Sequence, residues 1–138
     1  MRSVADFYQD CQAVAHAVPP LDVKLADAVS CVLAEDVQAP FNLPVADLSA
    51  CDGYAVRVRD CEGATLETPV TLPVTEEIRA GAVDPAALVP GTAIRIASGA
   101  PMPTGAEAVV SLEFTDHGVA QVALRTAPAS GENIRRRA

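Results

Sequence analysis

The sequence predicts an α+β chain, with helices in front and short strands behind. Three observations carry this expectation. Apolar residues recur at helical spacing over the first quarter, the run Pro40-Phe41-Asn42-Leu43-Pro44 breaks that pattern, and β-type runs then alternate with turn signals. At 138 residues, half of them apolar, the chain can bury one good core, divisible into two small subdomains.

Ser3 followed by Asp6 resembles a capping box, and Val4, Phe7, Tyr8, Cys11, Val14, Ala15 and Val18 follow at helical spacing. This predicts a helix from about Val4 to Ala17, stopped by Pro19 and Pro20. Leu25, Ala28, Val29, Val32 and Leu33 form a second stripe, predicting a shorter helix that ends near Ala34. Both stripes read as core-facing, and His16 reads as a favourable charge at a helix end.

The two prolines of Pro40 to Pro44 exclude a continuing helix or a central strand, so an extended connection and a subdomain boundary are expected there. Strands are expected at Tyr54 to Arg59, Val70 to Val74, Thr92 to Ala97, Ala108 to Phe114 and Val119 to Leu124. The first of these alternates as a half-buried strand does. Asp116-His117-Gly118 reads as a hairpin turn joining the last two runs, with His117 exposed.

Charge and composition exclude several classes. A net charge of -8 and a pI near 4.5 would repel polyanions, so neither nucleic acid nor a membrane surface is an expected partner. Arg135, Arg136 and Arg137 dissent as a basic run, read as a solvated tail. The four cysteines form no C-x-x-C pair and have no histidine cluster beside them, so they read as buried or semi-buried thiols. Signal-peptide and membrane-span patterns are not visible, which leads to a cytoplasmic expectation without disulfides. With no tryptophan and five aromatic residues among Phe and Tyr, a stacking platform lacks material.

Two stretches could carry chemistry. In Pro44 to Arg57, PVADLSACDGYAVR, Asp52 lies between small residues and Gly53, on a tight turn in front of a strand. Such a loop can aim an acid outward, although an Asp before Gly is also a common turn residue. In Ile94 to Val110, IRIASGAPMPTGAEAVV, the small residues Ser98, Gly99 and Ala100 leave backbone amides uncovered that could converge on an oxyanion. Pro101 and Pro103 stiffen that loop. Glu107, Glu113 and Asp116 lack the pairing that acid and base work requires, and no Ser/His/Asp order, phosphate-binding G-x-x-x-x-G-K-[ST] loop or metal-ligand cluster is present.

Taken together, the two stretches resemble a known family. DLSACDGYAVR resembles the D-N-S-A-M-D-G-Y-A-V-R segment of the MoeA molybdenum insertases, relatives of the gephyrin E domain. PGTAIRIASGAPMPTGAEAVV is similar to the family's G-T-x-x-R-I-x-T-G-A-P-x-P-x-G-A-D-A-V-V segment, and GENIRRRA to the opening of its G-x-N-I-R-R-x-G-E-D segment. LADAVSCVLAEDVQAPFNLP is similar to its second helix and exit, so the likeness runs from about Leu21 to Arg137.

The resemblance implies N-terminal helices plus an irregular, mostly antiparallel β-rich domain. It divides the chain into a helical segment, residues 1–44 joined by 127–138, and a β-rich domain, residues 45–126. The pterin-binding α/β domain that follows in the family is not expected within these 138 residues. The implied activity is that of a molybdopterin molybdotransferase in molybdenum cofactor biosynthesis: molybdate enters adenylated molybdopterin and AMP is released, with magnesium assisting. The implied partners are a second copy in a cytoplasmic homodimer and a molybdopterin adenylyltransferase. By residue, it implies catalytic roles for Asp52 and Ser98, substrate binding by Ser49, Gly53, Tyr54, Gly99, Ala100 and Pro101, and metal binding by Asp52. Ser98 stands at the family's threonine and Cys51 at its usual methionine. Without the third domain, this chain is expected to be inactive alone; the alternative is a non-catalytic dimerisation or binding module of the same origin.

Overall fold

Ser3 caps helix α1, Val4–Val14, in the expected reciprocal way: its hydroxyl accepts from the Asp6 amide and the Asp6 carboxylate accepts from the Ser3 amide. These lie in a computed structural model that describes residues 2–138 and divides into two units, Met1–Gln38 and Ala39–Ala138. The helix stops at Ala15, three residues short of expectation, where the backbone turns extended, so His16 lies outside it. No residue of α1 is buried, and Phe7 stays 59% exposed. Its apolar stripe is therefore not core-facing as expected, because this short unit offers no second buried face to pack against.

The second expected helix is also corrected. Only one 3-10 turn forms, Leu25–Asp27, and Ser30 then takes a left-handed conformation at φ 69. β-branched Val29 and Val32 weaken a helix, and both stay exposed, so burial does not offset that. Among the described residues the α content thus rests on one helix, and the fold is mostly β.

The second unit holds seven strands: β1 Leu48–Ser49, β2 Gly53–Val56, β3 Val70–Ile78, β4 Ala93–Ile96, β5 Ala108–Ser111, β6 Gln121–Leu124 and β7 Ile134–Arg135. Five form one sheet in the order β5-β2-β4-β3-β6, antiparallel except for the parallel pair β3 and β4; β1 and β7 pair separately. β2 runs down the middle of its neighbours β4 and β5 and is buried along its whole length, instead of alternating. Tyr54 and Val56 enter one core cluster and Ala55 the other, so both faces are covered. The runs expected to continue to Arg59 and Phe114 instead close into 3-10 turns, Val58–Cys61 and Leu112–Phe114.

Asp116-His117-Gly118 is a turn with His117 exposed at φ 59, but β5 and β6 lie at opposite edges of the sheet. A single antiparallel bridge, Thr115 to Leu124, closes the turn; it is not the hairpin expected between two paired strands. The arginine run is not a free tail. Arg135 pairs with Leu48 in β7, the Arg136 guanidinium meets Asp47 Oδ2 at 2.7 Å, and the Arg137 amide donates to Asp47 Oδ1 at 2.8 Å. Residues 127–138 lie within the second unit, Ala39–Ala138.

Cys61 is buried and Cys51 half-buried, whereas Cys11 and Cys31 are exposed and depart from the expected burial. No helix among the described residues is long and apolar enough to cross a membrane.

Candidate functional site

Three segments far apart in sequence meet at one corner. The loop between β1 and β2, the turn after β4 and the segment around β7 are stitched together almost entirely by backbone hydrogen bonds. Ser49 donates its amide to the Ala100 carbonyl and accepts from the Gly99 amide, each at 2.9 Å. Pro101 bridges Leu48, and the Met102 amide donates to the Asp47 carbonyl at 2.9 Å. On the other side the Ala50 amide donates to the Asn133 carbonyl at 2.8 Å, while the Asn133 side-chain amide donates to the Val109 carbonyl.

Asp52 stands exposed at this corner. Its Oδ1 accepts from the Ser98 amide at 2.7 Å, and its own carbonyl accepts from the Leu112 amide at 3.1 Å. Carboxylate and backbone are both held, which fixes the direction of the second oxygen, Oδ2, for which no hydrogen-bond partner occurs among the described residues. Ser98 therefore acts on Asp52 through its backbone; its hydroxyl donates to the Ala50 carbonyl at 3.4 Å.

The other expected site residues sort by burial. Tyr54 is fully enclosed, its hydroxyl donates to the Gly118 carbonyl at 2.9 Å, and burial pushes its pKa up. Ser49 and Ala100 are also buried, and the Ser49 hydroxyl is spent on the Cys51 carbonyl at 2.6 Å. Gly53 is buried with Val110 pressed against it. These side chains hold the corner together and do not face solvent; Asp52, Ser98 and Gly99 are exposed and Pro101 partly so.

The expected cradle of free amides is absent. The Ser98 amide goes to Asp52, the Gly99 amide to Ser49 and the Ala100 amide to the Ala97 carbonyl, so all three grip protein instead of an anion. The turn's left-handed residue, Gly99 at φ 76, is what aims two of them at the other loop.

Beside Asp52 lies a cleft of about 220 Å³ lined also by Glu77, Arg95 and Leu112. Neither Glu77 nor Arg95 was singled out from the sequence, although Arg95 lies inside IRIASGAP, where a charged residue between two isoleucines was an available signal. Glu77 reaches the cleft only through the parallel register that sets it opposite Arg95. Half-buried Cys51 packs against the core cluster next to Asp52, and its thiol is pushed up by burial and then by the Asp52 charge.

With the geometry in place, the comparisons are informative. The family description "MoeA N-terminal region (domain I and II)" matches residues 2–138. The chain is 50% identical over 136 residues to molybdopterin molybdenumtransferase 2 of Mycobacterium tuberculosis H37Rv, covering 99% of this chain and 34% of that one. It is 40% identical over 116 residues to the molybdopterin molybdenumtransferase of Bacillus subtilis 168, covering 81% and 27%. A crystal structure of the molybdopterin biosynthesis MoeA protein of Pyrococcus horikoshii OT3 superposes with a TM-score of 0.76 at 36% identity, over 83% of this chain and 30% of that one. The chain thus spans about a third of the length of the curated relatives it matches.

Proposed function

The chain belongs to the MoeA family, as its N-terminal region, and from that membership we propose that it is the front portion of a molybdopterin molybdenumtransferase, supplying one wall of that enzyme's site. In this reading the whole protein inserts molybdate into adenylated molybdopterin and releases AMP. The supporting observation is the 2.7 Å bond from the Ser98 amide to Asp52 Oδ1, because it joins the two most family-like stretches at one solvent-facing carboxylate.

Asp52 is the reacting-site acid in this reading, and Ser98 positions it. Oδ1 is occupied, so Oδ2 is the atom left to accept a proton from a water or to meet a cation. Magnesium fits this donor set: it is commonly held by one or two carboxylates together with substrate phosphates. The described residues contain no cluster of three or more His, Cys, Asp or Glu side chains that would make a protein-only cage. When bound at Asp52, the ion would offset the charge of the phosphoanhydride and of molybdate, which a bare carboxylate would repel. Buried Ser49, Gly53, Tyr54 and Ala100 keep the corner rigid, and Gly99 and Pro101 shape its rim.

A pterin-binding domain, a second copy of the chain, a cytoplasmic setting and delivery of the substrate by a molybdopterin adenylyltransferase complete the proposal. The test is Asp52→Asn and Asp52→Ala in the protein that carries this region together with a pterin-binding domain, assaying AMP release and metal insertion separately. Both activities should fall at least about a hundredfold, in the range of general acid or base catalysis, with an unchanged circular dichroism spectrum. Full activity in both variants would reduce Asp52 to a turn residue.

A further inference from the structure

The cleft beside Asp52 contains a cation to which the reading above gives no task. Arg95 sits in the middle of β4, opposite Tyr54 on one side and Glu77 on the other. It lines both the cleft of about 220 Å³ and an adjoining one of about 200 Å³ that continues over Thr75 to Val119. We propose that Arg95 is the anion-holding residue of this double cleft, binding a tetrahedral oxyanion of the phosphate class next to Asp52. The proposal rests on the insertase reading for which oxyanion is carried, and on the structure of this chain for the binding.

Three observations lead there. The backbone amides of Ser98, Gly99 and Ala100 are all committed to protein carbonyls or to Asp52, so the turn cannot hold an anion by itself. Arg95 is half-buried, yet among the described residues it forms neither an ion pair nor a side-chain hydrogen bond. Of the three carboxylates that line the double cleft, Asp52 Oδ1 is engaged with the Ser98 amide and Glu77 with the Arg79 guanidinium at 3.5 Å, and Glu76 lines only the adjoining part.

The chemistry of the group fits the task. A guanidinium offers five donors in a planar fork that matches two oxygens of a tetrahedral anion, and its charge does not depend on pH in the working range. Its strand, paired on both sides, fixes the backbone that carries the guanidinium beside the cleft. A volume of 220 Å³ accommodates a small oxyanion with several waters, each taking about 30 Å³ of liquid volume.

Inorganic phosphate and molybdate serve as separate probes, titrated calorimetrically into the 138-residue chain at low ionic strength. Arg95→Gln should weaken binding at least about tenfold, as loss of a charge-assisted contact does, while Arg95→Lys should keep part of it. Arg59→Gln, removing an exposed cation that lines neither cleft, should change binding by less than about threefold, because exposed charges are screened. Asp52→Asn should bind as well as the parent or better. Unchanged binding in Arg95→Gln, or no binding of either probe by the parent chain at tens of millimolar, would overturn the proposal. Phosphate binding through Arg95 without binding of molybdate would leave the site standing and count against the insertase reading. Molybdate-dependent activity in the longer protein that ignores Arg95 would do the reverse.

Discussion

Replacing Gly53 by alanine places a methyl carbon 2.1 Å from the Val110 carbonyl oxygen, 2.9 Å from its carbon and 3.0 Å from Val109 Cγ1. The first two contacts are backbone, in the strand directly paired with β2, so no side chain can rotate away. Ordinary contact needs about 3.4 Å, which means β2 and β5 must part by more than an ångström. Overpacking of this kind in a rigid sheet costs about 3 kcal/mol. For a unit of this size, in which about 1 kcal/mol moves the midpoint by 4–8 °C, the expected fall in Tm is roughly 12 °C or more. Gly99→Ala is the control from the same corner. Nothing lies within 4 Å of its added methyl, and only the left-handed backbone at φ 76 opposes it, so about 1 kcal/mol and a fall of roughly 4–8 °C are expected. Thermal unfolding followed by circular dichroism measures both. If Gly53→Ala melted within about 2 °C of the parent, or Gly99→Ala were the worse of the two, the close approach of β2 and β5 would be refuted.

Other expectations follow from the same contacts. Tyr54→Phe deletes the buried donor to the Gly118 carbonyl and should cost about 1 kcal/mol in denaturant unfolding, with an unchanged slope against denaturant. The Arg137 amide, and then the Arg136 guanidinium, hold the Asp47 carboxyl below its ordinary pKa of 3.8. A folded pKa below the unfolded one gives stability that is present above about 3.8 and lost as pH falls below it. Asp47→Asn should therefore flatten the acid limb of the stability profile and speed hydrogen exchange in β7. Burial pushes the Cys61 thiol up to about 11. A thiol reagent at pH 8 should label exposed Cys11 and Cys31 quickly, Cys51 slowly and Cys61 only on unfolding; rapid labelling of Cys61 would contradict the buried core around it.

What the sequence determined by itself was short-range. The Ser3 cap, the connection after Pro40, the turn at Asp116 and the approximate places of the central strands all depend on residues within a few positions of one another, where propensity and turn chemistry act. The likeness of three stretches to MoeA proteins was also visible there, and the comparisons bear out that membership. Tertiary structure decided the rest. Whether the stripe from Leu25 to Leu33 became a helix depended on packing and not on its spacing, and whether β2 alternated depended on a second core cluster that no local pattern announces. The corner itself is of this kind. Asp52 and the Ser98 amide are 46 positions apart, and Asp47 and Arg136 are 89 apart, so their meeting follows from strand order and register. For the same reason a turn whose amides looked free in sequence has none to spare, and an arginine set between two isoleucines stands, among the described residues, unpaired beside the candidate acid: a hydrogen-bond donor is open or spent only once its neighbours in space are known.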